Sequence, residues 1–375
     1  MNDASNVKQL TNLDHVREKF QNLHEFVAAA RATLNRNYWD YLIGAAETET
    51  TLRRNRLAIE TQAFRPRVLR DVNPTDTSGT FLGRKLTIPV ALAPIGSIER
   101  FDPGACVTVA NAAGTFGCAM FQSSAAKPDL EVTGRELPSG LKVFQLYVRG
   151  DHAWVEAILD RAVAAGFGGL CLTVDTHHYS RRERDISKRY QAASIRDPNA
   201  SHHQKALDWK QVDKVKKRYK LPLIIKGVAT AEDAKLCVEH GVDVIYVSNH
   251  GGRQLDHGLG SLDVLPEVVA GAKGKAEIII DGGFCRGSDV VKAIALGATT
   301  VCIGRLYAFG MAAAGRDGIV RVLELLQDEI SRSMGLLGVN RLDELNPSYL
   351  RAAPPVRQPH VLSAFPFIEQ TDDRY

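Results

Sequence analysis

From residue 88 onward the chain repeats one unit: a short apolar run rich in Val, Ile and Leu, a polar or glycine cluster, a helical stretch, and then the next run. The runs cover residues 88–93, 118–122, 142–148, 169–174, 221–226, 242–247, 277–280 and 300–303. They are continuous rather than alternating, which suits strands covered on both faces of a parallel sheet. Most are spaced by about 25–30 residues, the length of a βαβ unit. Between them, residues 151–165 place Trp154, Val155, Ile158, Leu159 and Ala162 on one helical face, and residues 319–337 repeat apolar side chains at steps of three and four. Eight parallel strands with helical crossovers predict an α/β fold, a (β/α)8 TIM barrel.

Residues 1–70 precede the barrel and read as helical at 16–30, 38–44 and 50–59, ending in FRPRVLRDV. Their apolar faces have no core of their own, so they are expected to pack on the barrel, which takes residues 71–350, with 351–375 as a tail. One interval is too long. Between residues 174 and 221 lies HHYSRRERDISKRYQAASIRDPNASHHQKALD, polar and without a legible core face. An insertion at this end of a barrel strand, about 176–208, is where a substrate lid is expected; a plain surface loop is the other reading.

Composition removes several classes of function. Lys and Arg total 47 against 43 Asp and Glu, a net charge of +4, which argues against a nucleic-acid partner held by a basic face. No apolar run reaches the roughly 18 residues of a membrane span. The N-terminus lacks a secretion-signal layout, and TDDRY is not a peroxisomal address, so a cytoplasmic protein is expected. The six cysteines are scattered without a CxxC pair, which suits reduced thiols and argues against disulfides or a zinc site. No metal is expected.

In a barrel the chemistry lies at the C-terminal strand ends. These carry Pro94-Ile95-Gly96, Ser123-Ser124, Gln145 with Tyr147, Thr173-Val174-Asp175, Lys226-Gly227, Ser248-Asn249-His250-Gly251-Gly252-Arg253, Asp281-Gly282-Gly283 and Gly304-Arg305. Singly, such an Asp is often a helix cap and such a Lys a solvated charge. Gathered on one rim, they form a candidate site. The glycines after runs seven and eight, with Arg305, suit a phosphate group. A lysine at the end of run five needs a negative partner, which either an electron-accepting flavin or a Schiff-base substrate would supply.

The run VIYVSNHGGRQLD closely resembles the active-site signature of the FMN-dependent 2-hydroxy acid oxidases and dehydrogenases, the family of glycolate oxidase, lactate oxidase and mandelate dehydrogenase. The resemblance extends over roughly residues 38–340 through FRPRVL, ALAPIG, VFQLYV, LTVDT, RRERD, IIKGV, IIIDGG, RGSDVVKAIALGA and IGR. It implies His250 as the base, Asp175 as its partner and Tyr147 facing the substrate oxygen. Arg253, Tyr41 and the more mobile Arg182 would bind the substrate carboxylate. On the FMN side it implies Lys226 at the pyrimidine edge, Gln145, Thr173, Ser123 and Ser248 on the ring or ribityl chain, and the 94–96 backbone against the flavin. Asp281, Gly282, Gly283, Gly304 and Arg305 match the ribityl and phosphate end.

Three departures bear on what the chain does. The family's DGG-x-R-R-G reads Asp281-Gly282-Gly283-Phe284-Cys285-Arg286-Gly287, so Cys285 replaces a phosphate-contacting arginine. A tryptophan near the substrate in glycolate oxidase is Ala125, and an alanine beside the flavin is Gly96. Two small residues favour a bulky or aromatic, mandelate-like 2-hydroxy acid. The lid is shorter than usual and has no membrane-binding insertion. Electrons would pass through FMN to oxygen or another acceptor, oxygen being favoured because no haem domain or membrane segment is seen. The family also implies a homo-oligomer, a tetramer. The alternatives are a flavin barrel acting on an amine or modified peptide, and a non-redox phosphate-binding barrel.

Overall fold

The computed structural model describes residues 12–190 and 200–368. Its centre is a closed barrel of eight strands: β1 (Val90–Leu92), β2 (Ala119–Ser123), β3 (Lys142–Leu146), β4 (Gly169–Thr173), β5 (Leu223–Val228), β6 (Val244–Val247), β7 (Glu277–Ile280) and β8 (Thr300–Ile303). Every neighbouring pair is parallel, and β8 returns to β1 with Val301 opposite Val90. The eight apolar runs are these strands, displaced at most by a few residues. Residues 147 and 148 leave the barrel wall, so Tyr147 stands beyond the end of β3.

Successive side chains alternate between the barrel interior and the surrounding helices. Ala91, Phe121, Val143, Cys171, Ile224, Tyr246, Ile279 and Cys302 form an inner apolar layer. Strand residues of opposite parity, such as Leu92, Met120, Phe144, Leu170, Ile225 and Ile280, pack outward against the helices. The hairpin of strands Gly79–Phe81 and Arg84–Leu86 closes the N-terminal end, where Phe81 and Leu86 join the inner cluster.

Helix ends follow local signals. Asp151 caps the helix His152–Ala164 by accepting from Trp154 N at 2.9 Å. The expected helix over 16–30 is two, Asn12–Lys19 and Leu23–Thr33, because Asn22 and Glu25 form a reciprocal capping box that starts the second. The expected helix over 319–337 is the last part of a longer stretch, Arg305–Leu337, interrupted at Ala314 and Gly315. The N-terminal helices Asn12–Lys19 and Leu23–Thr33 pack against this long stretch, whereas Thr50–Glu60 lies against the loop after β6 at the barrel mouth.

The insertion does bury side chains, but polar ones: Arg182, Asp185 and Gln204 are 8%, 6% and 4% exposed. Its helices Glu183–Ser187 and Ala200–Lys205 flank residues outside the description, so the middle of the expected lid lies beyond the described residues, as do the first eleven and last seven residues of the chain. Arg184 pins the segment to the N-terminal region, donating to Glu49 at 2.6 and 2.7 Å, and Lys188 pairs with Asp40. Among the described residues no helix is long and apolar enough to cross a membrane, and no cluster could hold a metal ion. All six cysteines are buried free thiols.

Candidate active site

Two residues beyond the inner apolar layer the same alternation carries polar groups inward. Phe121 is followed by Ser123, Val143 by Gln145, Cys171 by Thr173, Ile224 by Lys226, Tyr246 by Ser248 and Ile279 by Asp281. All six of these polar residues are buried. Lys226 Nζ donates to Ser248 Oγ at 2.5 Å and to Asp281 Oδ2 at 2.9 Å, and Ser248 Oγ donates to Asp281 Oδ1 at 2.7 Å. Burial alone would lower the Lys226 pKa; the Asp281 and Asp175 charges outweigh it and raise the value. The ammonium also sits 4.5 Å above the Tyr246 ring. Gln145 Nε2 donates to Thr173 Oγ1 at 2.8 Å, and Ser123 Oγ accepts from Ala125 N at 3.2 Å.

Above this ring stands His250. Its Nδ1 is 3.1 Å from Asp175 Oδ1, and its Nε2 is 3.2 Å from the Tyr147 hydroxyl. Burial would raise the Asp175 pKa, but the His250 imidazole and the Lys226 ammonium hold it below the usual carboxylate value. The Tyr147 hydroxyl is pushed up by burial and by Asp175, so it stays protonated. His250 has φ 59°, in the left-handed region. Its N–H donates to Ser248 Oγ at 3.0 Å, which fixes the strained residue on the polar ring. Asp175 depends on Gly227: a Cβ there would lie 2.8 Å from the Asp175 Cβ, and Gly227 has φ 117°.

Tyr41, Arg253 and Arg182 line the same cavity. Tyr41 OH donates to Gly96 O at 3.0 Å. Arg253 Nη1 donates to Tyr41 O and Gly44 O at 2.7 and 2.8 Å, and its guanidinium lies 4.8 Å from the Tyr41 ring. Arg182 lies over Tyr179, and its Nε is buried with no partner among the described residues. Burial, and then the Arg182 charge, lowers the Arg253 pKa. Arg305 donates to Leu42 O, Gly44 O and Gly251 O at 2.9, 2.8 and 3.1 Å, and burial followed by the Arg253 charge pulls it down to about 9. Main-chain carbonyls thus hold Arg305 in the cavity wall beside Gly304, at the end where phosphate contact is expected of it. The group of buried arginines needs anions, such as a carboxylate and a phosphate.

Several residues that build the site were given no role from the sequence. Gln204, from the insertion, accepts from Val148 N at 2.7 Å and donates to Thr173 O at 2.8 Å. It thereby clamps the chain next to Tyr147 and two residues before Asp175. Gln254 donates to Asp175 O and His178 O at 3.1 and 2.9 Å. Asn249 and Asn55 exchange amide hydrogen bonds at 3.0 and 2.7 Å. Asn249, Gln254 and Asp256 all lie in the NHGGRQLD run that carries the resemblance.

These walls enclose a cavity of about 340 Å³ lined by Pro94, Ile95, Gly96, Ala125, Tyr41, Tyr147, Lys226, His250, Arg253, Asp281, Gly282, Gly283, Gly304 and Arg305. The sequence pattern of the FMN-dependent dehydrogenase family matches residues 30–352. The chain belongs to the FMN-dependent dehydrogenases. It is 36% identical to the L-lactate oxidase of Nostoc sp., with 88% of this chain and 97% of the relative covered, and 38% identical to the glycolate oxidase of Spinacia oleracea, with 88% and 95% covered. Its fold is similar to a crystal structure of mandelate oxidase, with TM-score 0.83, 34% identity, and 90% of this chain and 100% of that one covered. An (S)-mandelate dehydrogenase chimera also gives TM-score 0.83, at 30% identity, with 88% and 99% covered.

FMN is the cofactor of this family, and the residues present fit it. Gln145 Oε1 is buried with no partner among the described residues, an acceptor suited to a ring N–H. Lys226 supplies a buried cation on the cavity wall. The other end has glycine backbone and guanidinium groups, which suit a phosphate.

Proposed function

We propose that the protein oxidises a bulky or aromatic 2-hydroxy acid, of the size of mandelate, to the 2-oxo acid. FMN, when bound, supplies the two-electron acceptor, with oxygen or another acceptor receiving the electrons afterwards. The observation that carries the reading is that a carboxylate-backed histidine and an arginine without a carboxylate partner among the described residues line one cavity.

Asp175 holds the proton on His250 Nδ1, which leaves Nε2 an acceptor that faces the Tyr147 hydroxyl until substrate enters between them. Nε2 takes a proton from the substrate hydroxyl or α-carbon, and Asp175 stabilises the imidazolium that results. Tyr147, held protonated, donates to the substrate oxygen next to His250. Arg253, with Tyr41 and Arg182, grips the substrate carboxylate and so sets which face of the α-carbon turns inward. Retention of all three favours a hydroxy acid over an amine or peptide substrate.

Anaerobic mixing of the holoenzyme with a panel of 2-hydroxy acids tests this reading. Loss of the flavin absorbance near 450 nm, on the order of the turnover rates usual for enzymes, is expected with mandelate and to a smaller degree with glycolate. An unchanged spectrum with every hydroxy acid would contradict it.

A further inference from the structure

The far end of the cavity lies between residues 282–285, the start of the long helical stretch at Gly304 and Arg305, and the helix Thr50–Glu60. Cys285 stands here in place of the signature's arginine, and Arg305 lines the same end of the cavity. A second guanidinium lines this end. Arg56 comes from the helix Thr50–Glu60, outside the barrel, and is 4% exposed. Its Nη1 donates to Gly283 O and to Asp289 Oδ2, both at 2.7 Å, and its Nε donates to Glu60 Oε1 at 3.2 Å. Asp289 Oδ2 also accepts from Cys285 N at 2.9 Å and Arg286 N at 3.1 Å. One carboxylate thus ties Arg56 to the loop that carries Cys285.

The Asp289 and Glu60 carboxylates account for the burial of the Arg56 charge. The Asp289 pair explains why Arg56 is held there, but not why it forms part of the cavity wall. We infer that Arg56 is the cation that faces the FMN phosphate, supplying from the N-terminal helix the charge that Cys285 does not. The inference rests on FMN as cofactor and is independent of the substrate proposed above.

FMN and riboflavin share the ring and ribityl chain and differ only in the phosphate, so titration of apoprotein with each, followed by flavin fluorescence, isolates the contact. For Arg56→Gln, FMN affinity is expected to fall about 10- to 100-fold, as for loss of a charged hydrogen bond, with riboflavin affinity changed by less than about twofold. The double variant with Cys285→Arg is expected to recover most of the preference for FMN. Equal losses for both flavins would mean that Arg56 acts only by shaping the loop, and an unchanged FMN affinity would remove it from the site; either result overturns the inference. If Arg56→Gln does not fold, Arg56→Lys keeps the Asp289 pair. FMN affinity is then expected to fall by roughly three- to tenfold, with riboflavin unaffected, and parallel losses again overturn the inference.

Discussion

Gly96 and Ala125 lie against each other in the cavity wall: a Cβ built on Gly96 would sit 3.3 Å from the Cβ of Ala125. The two small residues, separate in the sequence, thus adjoin in the lining of the cavity, where a larger side chain at either would take up room. Tyr41 reaches that place through its bond to Gly96 O. Ala125→Trp should refill it. The ratio of kcat/KM for mandelate over glycolate is expected to fall by about tenfold or more, the range that pocket-filling changes produce. An unchanged ratio would show that this wall does not set substrate size.

Arg253 cannot be replaced by another cation without loss. A lysine ammonium cannot hold the Tyr41 and Gly44 carbonyls and still present a planar fork to a carboxylate. Arg253→Lys is expected to weaken transition-state binding by about 2–4 kcal/mol, read as a drop in kcat/KM with FMN still bound. A variant within twofold of the parent would place the substrate carboxylate elsewhere.

The barrel was legible because its strands are apolar on both faces, so eight runs stand out without any knowledge of their partners. The inward polar ring was legible too, since Lys226, Ser248 and Asp281 each end such a run. Gln204 was not. It sits in a polar stretch, HHQK, and its partners, Val148 and Thr173, lie far off in the chain. Arg56 reads as one of several charges in TLRRNR, and only the fold shows that its side chain turns inward while Arg53 and Arg54 do not share its burial. The partners of Arg305 are main-chain carbonyls, which no side-chain pattern reports.

Gln204→Leu should separate the clamp from the chemistry. It leaves the Val148 N–H and the Thr173 carbonyl buried without their amide partner. A stability loss of about 1–3 kcal/mol is expected, measured by urea unfolding, together with a lower kcat and little change in KM. Parent-like stability and kcat would mean the amide is dispensable.

Asp256 ties the loop after β6 to the start of helix Thr50–Glu60, accepting from Thr51 N at 2.8 Å, Thr48 N at 3.0 Å and Thr48 Oγ at 2.7 Å. Burial would raise its pKa, but these donors outweigh it and hold the carboxyl well below the usual range. A depressed carboxylate contributes stability above its unfolded pKa, near 4, and loses it as pH falls toward the folded value. The stability gap between the parent and Asp256→Asn is therefore expected to be about 1–2 kcal/mol at pH 7 and to shrink below pH 4. A gap that does not vary with pH would contradict the assignment.

The central claim is that the imidazole of His250, backed by Asp175, starts the reaction. Stopped-flow mixing of His250→Ala holoenzyme with mandelate under anaerobic conditions tests it directly. The variant should bind FMN with a parent-like spectrum, while the flavin absorbance decays at least about 10²–10⁴-fold more slowly than in the parent, the usual share of a general base. Decay at the parent rate would contradict the account.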